Sequence, residues 1–334
     1  MPNESNPPIA TSEDAAALRA ELFRESSLAA MQRVVLRFAW ALKHYRLALF
    51  PFAAAWFSHR LSPQSGLPDP QRTGSDNELA GFVHSLSVPT LVEAYRRGLY
   101  TSDHYGPLTW SSPAERCVLS FRDFHIGKDV RRLMRQGRYR VTFDQAFERV
   151  IKNCATPRRK FWHVTWITPR IMRAYAALYD AGYAHSYEIW NAQGELVGGG
   201  YGLAIGRIFF GESQFFRERN ASKIGTTVLM WHLARWGFLL ADAKSTASAM
   251  RDLGFRIVSR ETFLCYLAQG AHAEDKTGRW IVEADTQTVA AWDPAGEAAA
   301  PVQDAVDSIA TKNPSVSVPR GVISKPSFDI NTAR

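Results

Sequence analysis

Seven glycines fall between Glu188 and Lys223, in EIWNAQGELVGGGYGLAIGRIFFGESQFFRERNASK: Gly194, Gly198, Gly199, Gly200, Gly202, Gly206 and Gly211. Glycine weakens a strand interior and marks a bulge or the close approach of another backbone. The apolar residues between the glycines still favour extended chain. Two short strands are therefore expected, around 196–205 and 208–210. The stretch then turns polar, with Glu212 and Ser213 followed by Arg217, Arg219, Asn220, Ser222 and Lys223. A carboxylate beside an apolar strand end suits a cationic or amine-bearing ligand. The same residues also fit a glycine-rich hairpin with a solvated charged edge.

A chain of 334 residues can bury one sizeable core and a smaller second unit. An apolar content of 46% and ten tryptophans exclude a disordered chain. The net charge of +8 favours a polyanion as partner, nucleic acid or anionic lipid. Cys117, Cys154 and Cys265 are too widely spaced for a zinc motif or a disulfide scaffold. A reducing, cytoplasmic compartment is the expectation. The opening MPNESNPPIATSED lacks the charged start and apolar core of a secretory leader.

In chain order, residues 1–13 read as disordered. Residues 14–60 form a basic aromatic helical extension, with Asp14 as cap and Pro51 as breaker. Its segment 34–57 interleaves Arg37, Lys43 and Arg46 with Phe, Trp and Leu, and no acid falls between Glu25 and Asp69. That suits peripheral membrane contact, an RNA-touching helix, or a core helix with snorkelling bases. Residues 61–76 read as a linker and 77–119 as a small N-terminal domain. In the latter, Gly98 stops a helix whose apolar positions are Leu91, Val92, Tyr95 and Leu99. Residues 120–271 form the larger domain. The predicted order from Tyr139 is β-α-α-β-β-β-α-β-α-β-α, an α+β (α/β layered) fold with a mixed sheet flanked by helices. Asp144 reads as a helix N-cap, and Asp242 as the end of a strand with Lys244 just beyond. Residues 272–334 read as a C-terminal extension, largely disordered. Arg96, Arg97, Arg131, Arg132, Arg135, Arg158, Arg159 and Lys160 are candidates for phosphate-backbone contact, with Arg116 beside them.

Several blocks, in order, resemble the bacterial leucyl/phenylalanyl-tRNA–protein transferases. They are LVEAYRRGLY, WSSPAERCVL, FDQAFERVIKNCATPR, TWITPRIMRAYAALYDAGYAHSYEIW, ELVGGGYGLAIGRIFFGESQFFRERNASK and LGFRIVSRETFLCYL. They run from about Leu91 to Leu267. The resemblance implies an acetyltransferase-like (GNAT-like) large domain behind a small N-terminal one. It implies transfer of Leu or Phe from aminoacyl-tRNA to the N-terminal amine of proteins beginning with Arg or Lys, which marks them for degradation in an N-degron pathway. No metal or nucleotide cofactor is implied, and a monomer is expected.

By the same resemblance Glu212 and Asp242 are catalytic, and Lys244 holds the position of a third catalytic group. Glu212 meets the donor α-amino group or positions the acceptor; Asp242 orients a proton relay. Trp110 or Trp166 stacks the 3′ adenosine, although Trp166 fits a core position equally well. Phe209 and Phe210 line the donor pocket with Gly200 and Gln214, and Ser213 and Asn220 complete the substrate contacts.

The chain also departs from the family pattern. Asp242-Ala243-Lys244 stands where the family reads Asp-Cys-Gln, Ala249 replaces an expected histidine, and Gln214 a methionine. Gly200 lacks the usual bulky side chain. A protonated lysine only donates, where a glutamine both donates and accepts. Two other readings follow: a tRNA-dependent aminoacyltransferase acting on a small amine or lipid headgroup, and a non-catalytic tRNA- or peptide-binding descendant.

Overall fold

The computed structural model describes residues 12–44, 57, 66–74, 78–102, 108–156, 165–244 and 248–296, the side chains of 12–13, 37–44 and 248–249 apart. Expectations for residues 1–11, for most of 45–65 and for 297–334 lie outside the described residues.

Seven strands form one mixed sheet in the order β10-β4-β9-β8-β7-β6-β5. They are β4 (Glu115–Leu119), β5 (Arg140–Phe143), β6 (Ala184–Trp190), β7 (Leu196–Ile205), β8 (Ile208–Phe216), β9 (Leu240–Asp242) and β10 (Arg256–Ser259). Among the described strands only β8 and β9 run parallel, joined by the crossover helix α7 (Ala221–Arg235). A second sheet, β1 (Leu79–Phe82), β3 (Thr109–Ser111) and β2 (Tyr100–Ser102), is antiparallel. Helix α3 (Val88–Arg96) precedes β2. Ser87 caps its first turn, and Gly98 ends it at φ +82. The unit boundary expected at residue 119 does not match sheet membership, because β4 pairs with β9 and β10.

Each face of the large sheet carries its own core. One face buries Leu203, Phe210, Tyr201 and Leu240 against α3, α5 (Phe147–Ala155) and α6 (Pro169–Asp180). Leu91, Tyr95, Leu99 and Trp110 of the small unit belong to this same core. The other face buries Phe209, Tyr187, Ile189 and Ala204 against α4 (Lys128–Arg135) and α7. Alternation along β8 thus sends Phe209 and Phe210 to opposite sides, as the two-residue period of a strand requires.

The strand β8 runs to Phe216 instead of ending near Phe210. Gly206 and Arg207 make the tight β7–β8 turn. Gly206 has φ +56, and a Cβ there would lie 2.1 Å from the carbonyl oxygen of Gly270. The N-terminal helix expected to run unbroken divides into α1 (Ser12–Leu22) and α2 (Ser27–His44). Arg19 of α1 bridges Glu148 and Asp180, and Phe23, just after the helix, is buried.

Two local expectations change. Asp144 does not cap α5. It adopts a left-handed backbone, and its carboxylate accepts the N–H groups of Ser186 and Trp280 and meets His185 Nδ1 at 2.8 Å. The orphan N–H groups of Gln145 and Ala146 instead reach Glu188 across the sheet. The segment 272–296 is also ordered. Trp280, Val289, Ala290 and Trp292 are buried around a short helix, Thr286–Ala290. Trp280 stacks on His185 with centroids 3.6 Å apart, so its aromatic residues, not its periodicity, anchor this segment.

Candidate active site

The site grows from an irregularity in β8. Tyr201 lies opposite Ser213 and Gly202 opposite Gly211, which leaves Glu212 as an extra residue in the strand. A bulge of this kind re-aims a side chain. It turns the Glu212 carboxylate into the core shared by α3 and α6, where its side chain is fully buried. Tyr95 of α3 donates its hydroxyl to Glu212 Oε1 at 2.5 Å and lies 2.6 Å from the Tyr175 hydroxyl of α6. Burial first, and the Glu212 charge second, push the Tyr95 and Tyr175 hydroxyls well above their ordinary range. Both stay protonated and serve as donors.

Asp242 ends β9 on the same face. Arg116 of β4 binds both its carboxylate oxygens, and each side chain is completely buried. Arg116 also donates to the Gly98 carbonyl at 2.9 Å and lies over the Phe263 ring at 4.1 Å. Asp242 Oδ1 in turn accepts the Lys244 backbone N–H at 2.8 Å. Lys244 is held at φ +65, a conformation a lysine rarely adopts without such support. Its side chain folds back, and Nζ is ion-paired with Glu212 Oε1. Burial pulls the Lys244 ammonium below its usual range, against the pull of Glu212. Lys244 therefore links the two acids, one through its backbone and one through its side chain.

The remaining sequence candidates divide between places. Phe210 packs edge-on against Tyr95 at 5.1 Å, and Ser213 sits beside Glu212 on the bulge. Trp166 is half-buried just before α6, edge-on to Tyr175 at 6.2 Å. Trp110 is buried in β3 within the same core. Gly200, Gln214 and Phe209 lie with the opposite sheet face. A Cβ on Gly200 would meet the Tyr187 hydroxyl at 2.5 Å, and that hydroxyl donates to Gln214 Oε1. Tyr187 thus fills the space that the small residue leaves. Asn220 supplies the left-handed residue that opens α7.

Among the basic candidates, Arg131 donates to the carbonyls of Ala290 and Trp292, both at 2.8 Å, and so clamps the C-terminal segment. Arg132 and Arg135 are exposed on the same helix. Arg96 pairs with Asp275 and Arg97 with Glu93, beside a cavity of about 500 Å³ that Gln71 and His272 also line. Arg158, Arg159 and Lys160 lie outside the described residues. Sequence reading missed Tyr95, Tyr175 and Arg116 as members of the site. Tyr95 looked like one more apolar position of a helix, and nothing local shows that Arg116 meets Asp242 across 126 residues.

The leucyl/phenylalanyl-tRNA protein transferase family model matches residues 118–268, which include Glu212, Asp242 and Lys244. The leucyl/phenylalanyl-tRNA–protein transferase of Pseudomonas syringae pv. syringae is 46% identical over 194 residues, 58% of this chain and 84% of that protein. The chain belongs to this family. A second member, from Azotobacter vinelandii, is 44% identical over 207 residues, 61% of this chain and 90% of that one. Both alignments leave a large part of the present chain unmatched. Among solved structures, FemX matches with a TM-score of 0.36 and 9% identity, over 44% of this chain and 60% of FemX. Among the described residues, no group of His, Cys, Asp and Glu side chains could hold a metal ion.

Proposed function

We infer that this chain is an aminoacyl-tRNA-dependent transferase that moves a leucyl or phenylalanyl group from its tRNA to the N-terminal amine of a protein. The observation that carries the reading is the meeting of Glu212 and Asp242 through Lys244 on one sheet face, within the region shared with the family. The donor ester is already activated. The protein has to exclude water, hold the ester and aim a neutral amine at its carbonyl, which is largely work of orientation and electrostatics.

The parts suit that task. Tyr95 and Tyr175 keep their protons and fix the Glu212 carboxylate. Asp242, taken up by Arg116 and the Lys244 N–H, is a positioning residue for the turn that carries Lys244. Trp166, half-buried and edge-on to Tyr175, is our candidate for stacking the 3′ adenosine. Arg132 and Arg135, with Arg96 and Arg97, are our candidates for phosphate contact. A GNAT-like assignment of the large sheet is supported by the parallel β8–β9 pair and its crossover helix. The resemblance implies Arg or Lys as the first residue of the acceptor.

The test is transfer itself. Purified protein is incubated with Leu-tRNA or Phe-tRNA carrying a labelled amino acid, and with peptides of different first residue. Label should appear on the peptide N-terminus and should be lost in Glu212→Gln.

A second reading, with a lipid headgroup amine as acceptor, draws on α2. Leu28, Met31 and Val35 recur at helical spacing and are 68%, 60% and 60% exposed. No described helix is long and apolar enough to cross a membrane. Label moving to an aminolipid in vesicles, and not to peptides, would favour this second reading.

A further inference from the structure

Lys244 occupies a site built for an ammonium group. Its Nζ is ion-paired with Glu212 Oε1 and lies 3.4 Å from the Tyr95 hydroxyl. It sits over the Tyr95 ring at 5.3 Å and the Tyr100 ring at 5.1 Å from the centroids. A carboxylate flanked by aromatic faces is how proteins recognise a ligand cation. Here the chain supplies that cation itself, on a side chain only 10% exposed.

The second carboxylate is occupied as well. Asp242 is bound by Arg116 with neither side chain exposed. Two buried carboxylates thus face two buried cations, and an incoming amine meets no net negative charge from them. Glu212 Oε2 and the Tyr201 hydroxyl are buried without a hydrogen-bond partner. Such groups are costly to leave unpaired, and each is able to accept a hydrogen bond from an amino group.

We propose that Lys244 is a specificity-determining residue: by filling the ammonium site of Glu212, Tyr95 and Tyr100, it makes the protein prefer acceptor N-termini whose first side chain is neutral or acidic over the doubly cationic N-terminus of an Arg- or Lys-starting chain. The proposal rests on the transferase reading for its acceptor. It differs from that reading in which acceptor it selects. A unit charge about 4 Å away changes relative affinity about fivefold at the dielectric of water and by much more in a less polar site, so a shift of about tenfold is a modest expectation.

The test measures equilibrium binding of labelled peptides that differ only in the first residue, Arg, Lys, Ala or Asp. The full chain, Lys244→Gln and Lys244→Met are compared, and the same peptides then serve as acceptors from labelled Leu-tRNA. The wild type should bind the Ala and Asp peptides at least as tightly as the Arg peptide. Both variants should shift the Arg-to-Asp affinity ratio toward Arg by about tenfold, and the acceptor KM should move with it more than kcat. Lys244→Gln alone decides the matter if Lys244→Met does not fold. The same ranking in wild type and variants, or a wild type that already favours Arg tenfold, overturns the proposal. Failure of the transferase reading gives a different signal: no label leaves the tRNA, whatever the ranking of peptides in binding.

Discussion

Asp242 accepts the backbone N–H of Lys244 at 2.8 Å while both of its oxygens are held by Arg116. One carboxylate therefore fixes the turn that aims the lysine and neutralises a guanidinium with no access to water. Asp242→Ala should cost about 3–5 kcal/mol of stability, because it leaves Arg116 buried and unpaired. Denaturant unfolding of Asp242→Ala, Arg116→Met and the double variant checks this. The double variant should be less destabilised than the sum of the two single ones. Any loss of transfer in Asp242→Ala has to be read against that lost stability.

Tyr95→Phe tests the hydroxyl relay separately from packing. It deletes the bond to Glu212 Oε1 and the contact with the Tyr175 hydroxyl, while the ring against Phe210 remains. The expected stability cost is about 1–3 kcal/mol, typical of a buried group left unpaired. Transfer should fall because Glu212 is less firmly held. Full activity at unchanged stability would show that the Tyr95 hydroxyl does not hold Glu212.

Glu188 gives the fold a dependence on pH. Burial pushes its carboxyl up to about 7, against the hydrogen bonds from Ser186 and Thr142 and from the N–H of Ala146. The folded protein then binds a proton that the unfolded chain, with its carboxyl at 4.5, has already released. The stabilisation is fully present below pH 4.5 and is lost as pH rises to about 7. Chemical denaturation across that window should show wild-type stability falling relative to Glu188→Gln. Parallel curves would contradict the assignment.

The polyanion face is tested by Arg132→Glu and Arg135→Glu together. Both residues are exposed, and their reversal should weaken tRNA binding and lower the slope of log affinity against log salt by about two. Arg131 should be left out, since its guanidinium holds the carbonyls of Ala290 and Trp292. Arg131→Ala should instead loosen the C-terminal segment and speed proteolysis there. An unchanged salt slope in the double reversal would remove this face from the tRNA path.

Local chemistry made much of this legible in advance. Gly98 and the apolar spacing before it marked α3, and the glycine-rich run marked the β7–β8 hairpin. The bulge at Glu212 was not legible, because register depends on the partner strand and not on β8 alone. Asp144 followed the N-cap pattern, yet tertiary partners drew its carboxylate to Ser186, His185 and Trp280. Lys244 was visible as a charge after a strand. That its ammonium pairs with Glu212 came from two distant elements meeting on one sheet face.

The most direct measurement is transfer of labelled leucine or phenylalanine from charged tRNA to a peptide N-terminus, by the wild type and by Glu212→Gln under the same conditions. We expect the wild type to form the new peptide bond and Glu212→Gln to lose most of that rate while still binding charged tRNA. Transfer undiminished in Glu212→Gln, or charged tRNA bound by the wild type without label reaching any amine, would contradict the account.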